Sequence, residues 1–269
     1  MLHRKIIFLL LTVFISNLTF AQQEQVRFSK IDVSDGLSHN QVNTILKDTK
    51  GFIWFGTLAG LNRYDGYQFK VFKHNPRDTT SVIDDFITGI FELPDHRLYI
   101  ETRGGPNIYN PDSETFERDI KGYLRTLKIN AGTIKGTIID KQGNFWLNAL
   151  DQGIFKYNTA KSITLHLKCG ANVSDGLAAA PVSSFQQDVN GNIWVIHTDK
   201  AIELLETTTG KVKRRILNFQ LKKPLTDQDL RLFADRAGDL WIYAMSAQHG
   251  IDYYAPATGN TRFIDKGKN

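Results

Sequence analysis

Six aspartates are the groups in this chain whose type and spacing could serve hydrolysis: the adjacent pair Asp84-Asp85, and Asp48, Asp140, Asp188 and Asp235. Cleaving a glycosidic bond takes two carboxyl groups at a defined separation, one as acid and one as base or nucleophile. The spacing argues against that use. Asp48, Asp140, Asp188 and Asp235 each stand three residues before a glycine and six before a tryptophan, which reads as a hairpin turn with the carboxylate bonded to nearby amides. Asp84-Asp85 reads as a solvated connection. The seven histidines are scattered and show none of the short spacings of a metal cluster. Gly-x-Ser-x-Gly is absent, no Ser-His-Asp order stands out, and Gly104-Gly105 follows no phosphate-binding pattern. The expectation is a protein without catalytic residues, metal or cofactor.

The elements that hold these residues recur. Trp54, Tyr99, Trp146, Trp194 and Trp241 are spaced 45, 47, 48 and 47 residues apart, so every tryptophan lies on one phase of one repeat. Each Asp-x-x-Gly turn leads into an apolar-aromatic run. Unit two is degenerate, with Leu93-Pro94-Asp95-His96-Arg97, so a different turn is expected there. A second anchor, four residues after a glycine, falls at Tyr64, Tyr109, Tyr157 and Tyr254, with Leu204 at this position in unit four. A short amphipathic strand closes each unit, at 68–72, 115–119, 162–167, 211–216 and 261–264. Four short strands in about 45 residues make a β-propeller blade. The fold class is all-β: five four-stranded antiparallel blades at about 40–73, 86–119, 133–167, 182–217 and 229–265. The Trp and Tyr anchors read as packing between blades.

The N-terminus carries Arg4 and Lys5, an apolar run over 6–15, and small residues up to Ala21. This is the layout of a secretory signal peptide over 1–21, and the run is shorter than the ~20 residues a membrane span needs. No later stretch is apolar enough to span. The mature chain, 22–269, is therefore expected in the periplasm. Removing the leader takes the net charge from +5 to +3, and the basic run Lys211–Arg215 reads as a solvated outer strand, so no nucleic-acid partner is expected. The single cysteine, Cys169, excludes an internal disulfide.

Val33-Ser34-Asp35-Gly36-Leu37 recurs as Val173-Ser174-Asp175-Gly176-Leu177, each glycine 18 residues before a blade tryptophan. By that phase the orphan segment 26–31 is a last strand without its own blade. Six outer strands against five inner sets suggest an N-terminal part of a larger, seven-bladed ring. Loops from last to first strands, and from second to third, emerge on one face. They offer His39, Asn40, Arg103, Asn148, Asp151, His197, Gln248 and His249, with Ser246, as polar rim groups for sugar hydroxyls.

Asp35-Gly36-Leu37-Ser38-His39-Asn40-Gln41-Val42, Gly51-Phe52-Ile53-Trp54-Phe55-Gly56-Thr57 and Gly60-Leu61-Asn62-Arg63-Tyr64-Asp65-Gly66 resemble the two-component regulator propeller repeat. That resemblance implies the periplasmic sensor of a Bacteroidetes hybrid two-component histidine kinase, a homodimeric parent, and oligosaccharides released from glycans as ligand. No kinase core stands in this chain. Two other readings stay open: a self-contained five-bladed lectin or glycan-cleaving enzyme, and a protein-docking platform.

Overall fold

The aspartate turns set the chain reversals. Asp48, Asp140, Asp188 and Asp235 accept the backbone N–H four residues on, from Phe52 (2.9 Å), Asn144 (2.8 Å), Asn192 (2.9 Å) and Asp239 (3.0 Å). The glycine inside each turn, such as Gly51 at φ +93°, adopts the left-handed backbone; in the degenerate second turn His96 takes it at φ +64°. The second carboxylate oxygen accepts the indole N–H of the blade tryptophan at 2.8 Å in Asp48–Trp54, Asp140–Trp146 and Asp235–Trp241. Trp194 Nε1 is buried without such a partner, and Asp188 bonds the Asn192 side chain instead.

The computed structural model describes residues 29–131, 133–158, 160–170, 176–217, 219–222, 230–244 and 250–265. The chain divides into two units, Met1–Asp32 and Val33–Asn269. In the first, the expected leader and residues 26–28 of the orphan strand lie outside the described residues. Ser29, Lys30 and Ile31 carry no regular structure, and Lys30 pairs with Asp32 at 2.9 Å.

The second unit is all-β. Blade 1 comprises β1 (Val42–Lys47), β2 (Ile53–Thr57), β3 (Gly60–Tyr64) and β4 (Phe69–Phe72). Blade 2 comprises β5 (Ile87–Glu92), β6 (Leu98–Thr102), β7 (Asn107–Asn110) and β8 (Thr115–Glu117). Blade 3 runs β9 (Ile134–Ile139), β10 (Asn144–Ala149), β11 (Gly153–Asn158) and β12 (Ile163–Leu167). Blade 4 runs β13 (Val182–Gln187), β14 (Ile193–His197), β15 (Ile202–Leu205) and β16 (Val212–Ile216). Blade 5 runs β17 (Leu230–Ala234), β18 (Leu240–Ala244), β19 (Ile251–Ala255) and β20 (Asn260–Ile264). Among the described residues these form five four-stranded antiparallel sheets, each in sequential order. The first strands pack in series, β1 on β5, β5 on β9, β9 on β13 and β13 on β17.

The core lies between blades, one cluster at each junction. A fully buried Phe-sized side chain contributes about 1.5–3 kcal/mol, and an aromatic pair about 0.5–1.5 kcal/mol more. Trp54 meets Tyr109 of blade 2 edge-on at 5.1 Å in this way. The pairing corrects one register assignment. Ile193 pairs with Leu205, as Ile53 does with Tyr64, so Leu205 and not Leu204 occupies the tyrosine position in blade 4. A slip of one residue moves a side chain to the other face. Between blades 2 and 3, outside the strand repeat, the chain adds α1 (Ile120–Thr126), a two-turn helix that buries Ile120, Tyr123 and Leu124 in their shared core.

Candidate functional site

Four of the five first strands carry an irregularity near their start. β1 pairs Val42 with Thr57 and then Thr44 with Gly56, passing over Asn43. β5 passes over Thr88, β9 over Lys135 and β13 over Ser183 in the same way. A bulge takes one residue out of alternation and re-aims its side chain. All four line one cavity of about 730 Å³, and Arg231 of β17 joins them, so every blade contributes to it. Glu101, Leu150, Thr198 and Tyr243, from the ends of the second strands, complete the wall with Phe91. The cavity is thus the central channel, within the size range of small-ligand sites.

Two of the bulge residues lace blades together. Asn43 Nδ2 donates to the Ile87 carbonyl at 2.9 Å, and Ser183 Oγ to the Leu230 carbonyl at 2.8 Å. Thr88 and Lys135 are exposed to the channel and make no hydrogen bond or ion pair with the described residues. The sequence held a signal for this ring: a polar residue follows Val42, Ile87, Ile134 and Val182 at the same phase of each repeat.

The polar groups chosen from the loops sit elsewhere. His39 Nδ1 accepts the Gln41 N–H at 2.9 Å, and Asn40 Oδ1 accepts the Val33 N–H at 3.0 Å. Arg103 is exposed, its guanidinium 5.9 Å from the Phe86 ring centre. Asp151 is exposed in the β10–β11 turn at φ +58°. None of the four lines the channel. Asn148 and His197 are corrected outright as rim residues, because both are buried. Each lies within a second strand, Asn148 one residue before the end of β10 and His197 at the end of β14, with its side chain turned into the sheet stack: Asn148 Nδ2 donates to the Val182 carbonyl of blade 4 at 3.0 Å. Ser246, Gln248 and His249 lie outside the described residues. Asp84 and Asp85 accept the Phe86 and His74 N–H groups and so brace the loop between blades 1 and 2.

His197 belongs to a buried ionic cluster that the sequence reading missed. Its Nε2 donates to Glu203 at 2.8 Å and its Nδ1 to the Ala180 carbonyl at 2.7 Å. Glu203 also accepts the Ala178 N–H at 3.1 Å and the Arg215 guanidinium, which reaches on to the Gly176 carbonyl at 2.7 Å. Burial works against the charged imidazole, but hydrogen bonds to Cys169, Glu203 and the Ala180 carbonyl raise its pKa to about 9. Burial likewise opposes the Glu203 charge, and the bonds from His197, Ala178 and Arg215 still hold it below the usual range.

The cluster is one version of a recurring device. At the same register on the third strand, Asn62, Asn107 and Asp252 are buried and accept backbone N–H groups of the entering segment. Their donors are Ser38 (2.8 Å), Ile83 (3.2 Å) and Lys222 (3.0 Å). In blade 3 the place is taken by Phe155, stacked on His166 at 3.9 Å. Of the basic run, Arg215 serves Glu203, Arg214 bonds the Tyr254 hydroxyl at 2.9 Å and Lys213 pairs with Glu206 at 3.3 Å. Among the described residues no group of three or more His, Cys, Asp or Glu is placed to hold a metal, and no helix is long and apolar enough to cross a membrane.

The class defined by these sheets and their shared channel is a β-propeller of four-stranded blades. Residues 36–59, which run into blade 1, match the family described as Two component regulator propeller. A curated relative, Histidine kinase P4 of Formosa agariphila, is 42% identical over 62 residues, which are 23% of this chain and 4% of the kinase. Among solved structures, the extracellular domain of BT4673 from B. thetaiotaomicron, described as part of a one component system, superposes with a TM-score of 0.58 at 22% identity. The match covers 90% of this chain and 34% of that one. Streptogramin B lyase superposes with a TM-score of 0.55 at 13% identity, over 90% of this chain and 74% of the lyase. At such identities the structural likeness concerns the fold. The chain spans a small part of the kinase and about a third of the BT4673 domain.

Proposed function

We propose that this chain is the ligand-binding propeller segment of a periplasmic two-component sensor, exported behind a leader at 1–21, and that it takes an oligosaccharide in the central channel. One observation carries the reading: the bulges of four consecutive blades aim polar side chains at one cavity, where Thr88 and Lys135 have donors and acceptors to spare. A strand irregularity repeated at one end of a channel suits recognition better than stability. Sugar hydroxyls match such paired donors and acceptors, and Phe91 offers an apolar face beside them. Lys135 and Arg231 against Glu101 leave the wall net positive, which favours an acidic sugar. The regulator repeat at 36–59 and the kinase relative support sensing over catalysis.

The test is titration calorimetry of the purified chain against neutral and uronate-bearing oligosaccharides. Saturable binding is expected with a uronate-bearing member. Lys135→Ala and Thr88→Ala should each weaken it about tenfold, the loss of one good hydrogen bond or charge contact, while Asp151→Ala should leave it unchanged. Absence of binding across the panel, or loss on Asp151→Ala alone, would remove the channel reading. Turnover of a bound oligosaccharide would favour the glycan-cleaving alternative.

A further inference from the structure

Blade 3 departs from the device that closes the other four blades. In those, a buried polar residue on the third strand accepts a backbone N–H of the entering segment: Asn62 from Ser38, Asn107 from Ile83, Glu203 from Ala178 and Asp252 from Lys222. Phe155 stands at this position in blade 3 and has no acceptor to offer, and a cavity of about 350 Å³ opens beside it. The entering segment supplies Lys128 and Asn130 to the wall, and the β10–β11 turn supplies Gln152. Thr164, His166 and Lys168, from β12 and its continuation, complete it. No residue lines both this cavity and the central channel.

The wall is one-sided in charge. Lys128 and Lys168 are exposed, and neither makes a side-chain hydrogen bond or ion pair with the described residues. No carboxylate lines the cavity; Asp151, next to Gln152 in the turn, is not part of the wall. His166 is fixed by two contacts. Its ring lies on Phe155 with the planes 15° apart, and its Nε2 donates to the Gln152 carbonyl at 2.8 Å. Thr164 Oγ1 donates to the Leu127 carbonyl at 2.6 Å and so ties the residue before Lys128 to the outer strand.

The backbone at Lys128 adds a second observation. The N–H groups of Ile129 and Lys128 return to the Leu124 and Arg125 carbonyls at 2.9 and 3.0 Å, closing α1 with Lys128 at φ +58°. Glycine takes this helix-ending conformation without strain, and a lysine does not. What the lysine brings is a second ammonium group on the wall that Lys168 shares. The structural use of such a charge is to face the carbonyl end of the helix, and the variants below separate that use from ligand binding.

We propose that this cavity binds a tetrahedral oxyanion, a phosphate or sulfate group, shared by Lys128 and Lys168. An ammonium is a point charge with three rotatable donors, which suits a tetrahedral anion; a planar carboxylate is matched by the fork of an arginine, and no arginine lines the wall. The volume reaches the lower end of the range for small-molecule pockets, so a sugar-sized body fits beside the anion and against the Phe155–His166 stack. The site stands apart from the channel and does not rest on the oligosaccharide reading.

The test is titration calorimetry of the purified protein, in a buffer free of other oxyanions. The probes are inorganic phosphate, inorganic sulfate, glucose 6-phosphate and glucose 6-sulfate, with acetate as the planar comparison. Saturable binding of a phosphate or sulfate probe is expected, and tighter than that of acetate. Esters that bind more tightly than the free ions assign the site to an anionic sugar; equal affinities assign it to the free ion. Lys128→Gly and Lys168→Ala should each weaken binding about tenfold, while Lys161→Ala, in the exposed β11–β12 turn, should leave it unchanged. Glycine fits the backbone at position 128, so Lys128→Gly should keep or raise the thermal unfolding midpoint, and its lost binding is then no loss of fold. Absence of saturable binding by all four probes overturns the inference, as does binding that neither lysine variant weakens, or acetate bound as tightly as phosphate and sulfate. Binding abolished by Lys135→Ala but kept by Lys128→Gly places the anion in the channel and overturns it as well.

Discussion

A charged imidazole inside a protein needs an acceptor at each nitrogen and a carboxylate nearby, or burial expels its proton. His197 has both acceptors, and Glu203 in turn has His197, Arg215 and the Ala178 N–H, so the cluster closes on itself. The pH consequence follows from the raised pKa. The folded value of about 9 lies above the ordinary 6.5, so the stabilisation is fully present below about pH 6.5 and is lost as pH rises through 9. Glu203, held low, loses its share only in acid, below its usual range. The thermal unfolding midpoint should therefore drop between pH 6.5 and 9.5. His197→Ala should be destabilised by about 3–5 kcal/mol at pH 6.5, the effect of breaking a buried ionic pair, and should lose most of that slope. An unchanged slope in the variant would place the titration in another group. The cluster was hidden in the sequence because Glu203 lies two residues past Ala201, where the other blades have glycine before Asn62, Asn107 and Asp252. The shared phase was visible, but the charge looked like surface.

Between elements, the tightest constraint is where the next blade crosses the second strand. A Cβ on Gly56 would stand 2.5 Å from Thr44 Cγ2 and 2.6 Å from Ile87 Cγ2, so blade 2 occupies the volume a side chain would need. Gly56→Val should cost about 1–3 kcal/mol by overpacking, read as a lowered midpoint of roughly 2–4 °C per kcal/mol for a chain of this size. Gly136→Ala is the control, since its Cβ would meet only Phe185 at an ordinary 3.6 Å; it should be neutral within about 0.5 kcal/mol. Equal losses in both would show that strand glycines matter for backbone reasons alone. The strands themselves were legible because alternation and Asp-x-x-Gly turns mark them. The bulges were not, because they depend on which backbone pairs are skipped. The helix α1 was not legible because its apolar residues 120, 123, 124 and 127 follow helical spacing for barely two turns, too few to stand out beside a strand repeat.

At the scale of the molecule, a series of blades is stabilised mainly by its junctions, so each blade's stability follows the number of neighbours that cover it. The blade count was legible because all four tryptophans share one phase. How the first and last faces are covered was not, since the same side chains are core in one blade and surface in another: Ile90 is 3% exposed and Ile45 is 62%. Blade 3 is covered on both sides, and all six residues of β10 are buried. Among the described strands, blade 5 has only blade 4 packed against it, with Phe233 and Tyr243 open at 49% and 36%. Local opening should therefore be cheapest at the two ends and most costly in the middle. Native-state hydrogen exchange should show the greatest protection in β10 and β11, with β1 to β4 and β18 to β20 exchanging through lower-energy openings. If all five sheets exchange with one common free energy, the unit unfolds as a whole, and the open faces of blades 1 and 5 do not weaken their blades.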